Sequence, residues 1–190
     1  MLKKIIEIQF MAKISVDSYK VSFSDIFFFD TNIWLLLFGT VADFEKNEQR
    51  KYSNFFAELV SKDKPIYTTS LVFSEFSNVL LRRDFRLWQK KDNNFNKDFK
   101  RDFVGTAEYK KSVESIKIQL NKILTLPNLV RVGDSFHILN FDRIFTNFDF
   151  IDFNDSYYAE VCLQNNYKLV SNDRDLFMLE ESLDIITALS

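Results

Sequence analysis

The sequence predicts an α/β protein, a three-layer sandwich around a central parallel sheet of about five strands, with a helical hairpin protruding from it. Three observations carry that prediction. Short apolar runs alternate with longer segments of helical periodicity, the pattern of parallel strands joined by right-handed crossovers. The run Ile26-Phe27-Phe28-Phe29 is apolar throughout, as a strand buried on both faces requires. Glycine and proline number only 3 and 2 among 190 residues, so each one marks a boundary.

Residues 1–24 are expected to form an N-terminal extension and 25–190 a single domain. Met1 to Phe10 carries two lysines and a short apolar run broken by Glu7. It is too short and too charged to span a membrane, and it lacks a small-residue cleavage site. The first strand ends at Asp30, and a short helix, Thr31 to Phe38, closes at Gly39. A helix from about Glu45 to Lys62 gathers Tyr52, Phe55, Phe56, Leu59 and Val60 on one side. Pro65 precedes the second strand, Ile66-Tyr67-Thr68, after which Thr69 or Ser70 caps the next helix.

Between about residues 84 and 124 the apolar spacing predicts two helices folded as a hairpin insertion. Phe85, Trp88, Phe95, Phe99 and Phe103 step by three, four or their multiples, and Gly105 lies within the helical region. Tyr109, Val113, Ile116, Leu120 and Ile123 continue the stripe. Pro127 introduces a third strand, Leu129 to Val132, which ends at Gly133. Helices over about 136–145 and 154–165 follow, then strands at 168–171 and 184–187.

Hydrophobic residues at 46% and charged residues at 27% describe a globular chain, with 22 Phe spread through it as core filler. A net charge of −2 excludes a generally basic surface for nucleic acid or anionic membranes. If several acids share one site, however, the remainder of the chain is basic and a polyanionic substrate stays open. One cysteine, Cys162, excludes an internal disulfide and fits a reducing compartment, so a cytoplasmic protein with no membrane partner is expected. Its apolar helical setting predicts a buried, inert thiol. The single His137 argues against a multi-histidine metal site.

The candidate chemistry lies in the acids. Asp30 stands at the carboxyl end of a strand that reads as central, where open α/β sheets bind ligands. It either caps the following helix or holds a cation. Glu75 lies four residues after Leu71 and four before Val79, in line with apolar neighbours. Burial there demands a cation, either a shared metal or Arg82 or Arg83. Asp155 opens the helix whose inner face is Tyr158, Ala159, Cys162 and Leu163; an acid in a first turn is also what the helix dipole favours. Asp152, three residues earlier, is placed to cap that helix or support the site. Asp173 follows the apolar strand Leu169-Val170-Ser171, with Asp175 two residues on. Four such carboxylates gathered together call for Mg²⁺ or Mn²⁺, which prefer oxygen donors, rather than Zn²⁺. With Asp30 holding the metal, the capping role falls to Thr31 or Asn32.

Four segments in this order resemble the PIN-domain nucleases, and among them the VapC-like toxins. They are Phe-Phe-Phe-Asp-Thr-Asn ending at Asn32, Thr-Ser-Leu-Val-Phe-Ser-Glu-Phe ending at Phe76, Asn-Asp-Ser-Tyr-Tyr-Ala-Glu ending at Glu160, and Leu-Val-Ser-Asn-Asp-Arg-Asp-Leu ending at Leu176. The resemblance implies a PIN-like sheet in which the strands ending at Asp30 and Ser171 are neighbours. It implies that Asp30, Glu75, Asp155 and Asp173 are the acidic positions, with Asp175 accessory and with Thr31 and Ser171 beside the metal. The activity it implies is hydrolysis of RNA phosphodiester bonds with Mg²⁺ or Mn²⁺, leaving a 5′-phosphate and a 3′-hydroxyl, with no covalent nucleophile. A metal would supply an activated water and charge stabilisation on the attacked phosphate.

Lys90, Lys91, Lys97, Lys100 and Arg101 on the hairpin either grip the RNA backbone or belong to a solvated face interleaved with acids. The aromatic stripe suits a homodimer, an antitoxin groove or internal core alike; a homodimer and an antitoxin partner are the assemblies expected. The longer extension and the enlarged hairpin depart from a minimal toxin and keep an RNA-processing nuclease open. A phosphatase with an Asp nucleophile would need a second Asp at position 32, where this chain has Asn. A catalytically idle binding module is the remaining alternative.

Overall fold

The computed structural model describes residues 12–39, 46–91, 94–179 and 182–189. The elements in order are β1 (Ala12–Ser15), β2 (Phe27–Phe29), α1 (Thr31–Phe38), α2 (Lys46–Ser61), β3 (Ile66–Thr68), α3 (Ser70–Lys91), α4 (Ala107–Leu124), β4 (Leu129–Arg131), α5 (Phe141–Phe148), α6 (Phe153–Asn165), β5 (Lys168–Val170) and β6 (Asp184–Thr187). The strands form one six-stranded sheet in the order β1-β6-β5-β2-β3-β4, with every pairing parallel. About five strands were expected. The sixth is β1, which the expected extension 1–24 supplies and which pairs with β6 through Ile14 opposite Ile186.

The triple-Phe run behaves as a strand buried on both faces, with Phe27, Phe28 and Phe29 at most 1% exposed. Successive side chains leave a strand on opposite sides. Phe29 packs on Trp34 of α1 and Phe56 of α2, while Phe28 packs on Tyr158 of α6. The sheet is thereby covered on both sides, as its all-parallel pairing requires. The middle of the sheet is the β2–β5 pair, in register from Phe27 opposite Lys168 to Phe29 opposite Val170. The neighbour relation that the resemblance implied is present.

The hairpin is built differently from its outline in sequence. Helix α3 runs unbroken through 22 residues, so one rod carries both Glu75 and the first arm. A π-helical turn, Phe99–Phe103, folds back and buries Phe103 completely against Phe85, Trp88, Phe99 and Tyr109, at ring separations of 5.3–5.7 Å. The aromatic stripe is therefore the hairpin's own core, except Phe95, which is 63% exposed. Gly105 lies in the turn before α4 rather than within a helix, at φ 90°, a conformation that costs a glycine little. Thr106 then caps α4 by accepting the Tyr109 N–H.

The helix expected over about 136–145 is two pieces. A 3-10 turn spans Phe136–Ile138, and α5 starts only after Asn140, whose side chain accepts the Arg143 N–H. Asparagine is among the best N-caps, and here it restarts the helix. Among the described residues, no helix is long and apolar enough to cross a membrane.

Candidate functional site

Asp30 ends β2 at the carboxyl edge of the sheet, and its backbone N–H donates to the Val170 carbonyl at 3.1 Å. The residue is 3% exposed. Oδ2 accepts the Ser171 hydroxyl at 2.6 Å and the Asn32 amide at 2.6 Å. Asn32 also reaches Ser171 Oγ at 3.1 Å and accepts the Asn172 N–H at 3.2 Å, so it ties the ends of β2 and β5 together. Asp30 occupies the N-cap position of α1 yet makes no side-chain capping bond. The expected transfer of that role to Thr31 or Asn32 does not occur, because both side chains are spent within the site. Likewise the Thr69 hydroxyl, before α3, is buried and has no hydrogen-bond partner among the described residues, so it does not cap that helix.

Glu75 is half-buried in α3 and accepts two hydroxyls on one oxygen, Tyr158 at 2.7 Å and Thr31 at 2.8 Å. The arginines considered as partners lie elsewhere: Arg83 pairs with Asp84, and Arg82 stacks 4.2 Å over Phe99. Asp155 is 9% exposed in the first turn of α6, and its backbone N–H donates to Asp152 at 2.9 Å. Asp152 is therefore the cap, as its position suggested. Asp173 is half-buried beyond β5; its N–H donates to Ser171 Oγ at 3.0 Å and its carboxylate accepts the Asp175 N–H at 2.9 Å. Asp175 is exposed.

Burial drives the electrostatics. It pushes Asp30 up to about 7 from an ordinary 3.8, against the lowering effect of the Ser171 hydrogen bond and with a further push from Glu75. It pushes Asp155 up to about 9, and the charges acting most on it are Asp30, Asp152, Asp173 and Glu75, all acidic. The four candidate carboxylates thus share one field. They do not close into a ready cage: among the described residues no group of three or more Asp, Glu, His or Cys converges to hold an ion.

The donor set nevertheless fits a hard divalent cation. It is all oxygen, it is desolvated, and its strongest charged neighbours are of its own sign. Mg²⁺ commonly keeps several waters and takes only one or two carboxylates directly, which suits acids that are gathered but not closed.

Several contributors were not singled out in sequence. Tyr158 stands one turn after Asp155, a spacing that puts both on one face of α6. Tyr52, 1% exposed on the inner face of α2, places its hydroxyl 2.9 Å from both the Ser171 carbonyl and Asn172 Oδ1 and accepts the Ala188 N–H at 2.8 Å. Nothing in its apolar spacing marks it as more than core. Glu48 accepts the Asn172 amide at 3.1 Å.

The basic residues singled out on the hairpin lie apart in role. Lys90 and Lys91 end α3, and Lys97 and Lys100 are exposed near the π turn. Arg101 pairs locally with Asp102. Cys162 is buried and free, and burial pushes its thiol up, as an inert core position requires. His137 is exposed.

A parallel sheet whose two middle strands end in clustered acids defines an α/β protein with an acidic centre at the carboxyl edge. The model of the PIN domain family matches residues 27–180, and the chain belongs to that family. PIN domains are generally nucleases that use divalent metal ions. The matched span contains Asp30, Glu75, Asp155 and Asp173.

Two solved structures are similar to it. One is VapBC2 from Rickettsia felis bound to a DNA fragment from their promoter, at 17% identity and a TM-score of 0.49, covering 85% of this chain and 98% of that one. The other is PAE2754 from Pyrobaculum aerophilum, at 13% identity and a TM-score of 0.46, covering 85% and 84%. Among curated proteins none matches the sequence.

Proposed function

We propose that this PIN domain is a Mg²⁺- or Mn²⁺-dependent endoribonuclease that hydrolyses RNA at the Asp30–Glu75–Asp155–Asp173 centre, as the toxin of a toxin–antitoxin pair. The observation that carries the reading is the burial of Asp30 and Asp155 among further acids at the end of the β2–β5 pair, which holds both carboxyls above their ordinary range. Acids so placed have little use in a merely stable fold and are suited to a cation.

Asp30, Asp155, Asp173 and Glu75 would hold the ion. When bound, the ion would supply an activated water and stabilise charge on the scissile phosphate. Ser171 and Asn32 keep Asp30 oriented by donating to it, and Asp152 fixes the first turn of α6 that presents Asp155. Asp175 lends its backbone N–H to Asp173. Lys90, Lys91, Lys97, Lys100 and Arg101 are the cations offered to the RNA backbone. The partners in this reading are RNA, an antitoxin protein and a second copy of the chain, in the cytoplasm.

The test is cleavage of a mixed RNA pool by wild type and Asp173→Asn, with Mg²⁺, with Mn²⁺ and with EDTA. Metal-dependent cleavage by wild type and its loss in the variant are expected; equal cleavage by both would put the site elsewhere. Growth arrest on expression of wild type, but not of Asp30→Asn, is expected of a toxin. Cleavage without growth arrest would favour the RNA-processing alternative, and an inert wild type an idle binding module.

A further inference from the structure

We infer that Tyr158 is a positioning residue that aims Glu75 at the proposed metal, an assignment that rests on the function proposed above. The Tyr158 hydroxyl donates to Glu75 Oε2 at 2.7 Å, and the Thr31 hydroxyl donates to the same atom at 2.8 Å. The two hydroxyl oxygens are 3.3 Å apart. Each hydroxyl carries one proton, and both protons are committed to the carboxylate, so their mutual contact carries none.

The distribution of those bonds is the informative feature. A half-buried carboxylate that needed only solvation would be served as well by donors shared between its oxygens. Here both fall on Oε2, and among the described residues no hydrogen bond reaches Oε1. One oxygen is saturated and the other is left as the acceptor for a cation.

The donors come from α1 and α6, the helices that also begin beside Asp30 and carry Asp155. Glu75 is therefore fixed relative to both of those acids rather than merely to its own helix. Tyr158 itself has no rotational freedom to spare: it is 1% exposed, and its ring packs 5.5 Å from that of Phe28. Its place one turn after Asp155 means that α6 delivers an acid and the tether of a second acid from the same face.

Tyr158→Phe keeps the ring in place and removes only the hydroxyl, so it isolates the tether. Mn²⁺ binding by the intact chain, measured by titration calorimetry, should weaken about tenfold, and kcat on single-stranded RNA should fall about tenfold with KM unchanged. Tyr157→Phe, a change on the same helix that leaves Glu75 untouched, should bind Mn²⁺ as wild type does.

Because Tyr158 acts through Glu75, Tyr158→Phe should add nothing to the loss already caused by Glu75→Gln. Wild-type affinity in Tyr158→Phe, or additive losses in the double variant, would overturn the assignment while leaving the metal centre standing. A wild-type chain that binds no Mn²⁺ would instead overturn the metal reading, and this inference with it.

Discussion

Raising the pH should destabilise the metal-free protein, and Asp30 and Asp155 should set the slope. Their folded carboxyls stand at about 7 and about 9 against an ordinary 3.8. A carboxyl whose folded pKa lies above its unfolded one holds its proton more tightly in the native chain. The stability it contributes is complete below the unfolded value and is lost as the pH climbs through the folded one. Each group removes about 1.4 kcal/mol per pH unit while it is charged in the unfolded chain and neutral in the native one.

Both groups act from near 4 up to about 7, and Asp155 alone continues to about 9. They repel one another and titrate as a pair, so the loss between about pH 5 and 8 should be a few kcal/mol. For a chain of this length that is a fall in Tm of roughly 5–15 °C.

The assay is thermal unfolding in EDTA across that range, for wild type and Asp155→Asn, repeated with Mg²⁺. The variant, which has no charge to bury at this position, should unfold with a flatter pH profile and above wild type at the alkaline end. Mg²⁺ at a hundred times its Kd should return about 2.7 kcal/mol to wild type and much less to the variant. A wild-type Tm that rises with pH, or a variant that tracks wild type throughout, would refute the reasoning.

Further expectations address the surroundings of the centre. Asp30→Asn should lower RNA cleavage by at least about a hundredfold while its far-ultraviolet circular dichroism matches wild type, since the amide oxygen can still accept from Ser171. Tyr52→Phe should cost about 1 kcal/mol and speed amide hydrogen exchange at Asn172 and Asp173, because the hydroxyl that joins the ends of β5 and β6 is lost. Phe103→Ala should cost about 3–5 kcal/mol in a denaturant titration by emptying the hairpin core, with Mn²⁺ affinity unchanged. Joint replacement of Lys97 and Lys100 by Ala should weaken RNA binding uniformly over sequences and flatten its salt dependence by about two in log–log slope.

What the sequence revealed of the fold follows from how local each signal is. The strand ending at Asp30 was legible because a triple-Phe run has no use except burial on both faces, and the strand ending at Ser171 because it is equally apolar and abruptly polar afterwards. β1 was not. Ala12–Ser15 is four residues of weak pattern, held in the sheet by residues nearly the whole chain away.

The break at Asn140 is marked in sequence by nothing more than a capping residue inside an otherwise amphipathic stretch. Within the site, Asp30 and Glu75 are legible as charges among apolar neighbours and Asp173 as the acid just past an apolar strand, whereas Asp155 by itself reads as an ordinary first-turn acid. Tyr158 and Tyr52 are not legible, because a tyrosine on an inner helix face reads as core until its hydroxyl is seen to have a partner. Asn32 reads in sequence as a candidate cap and as the position where a phosphatase would need Asp, and its bridging of two strand ends depends on a contact 139 residues away.

The placement of β5 beside β2 has a consequence for the chain as it is made. Asp30 is made 141 residues before Ser171, whose hydroxyl orients it, and the neighbouring Asp173 also comes from beyond residue 170. A ribosome-bound fragment ending before β5 holds the opening acid and lacks the strand that completes its edge. Since such long-range pairings form late, the centre cannot assemble before β5 has been made. Under the function proposed above, a nascent chain that has not yet reached β5 should be inert toward RNA.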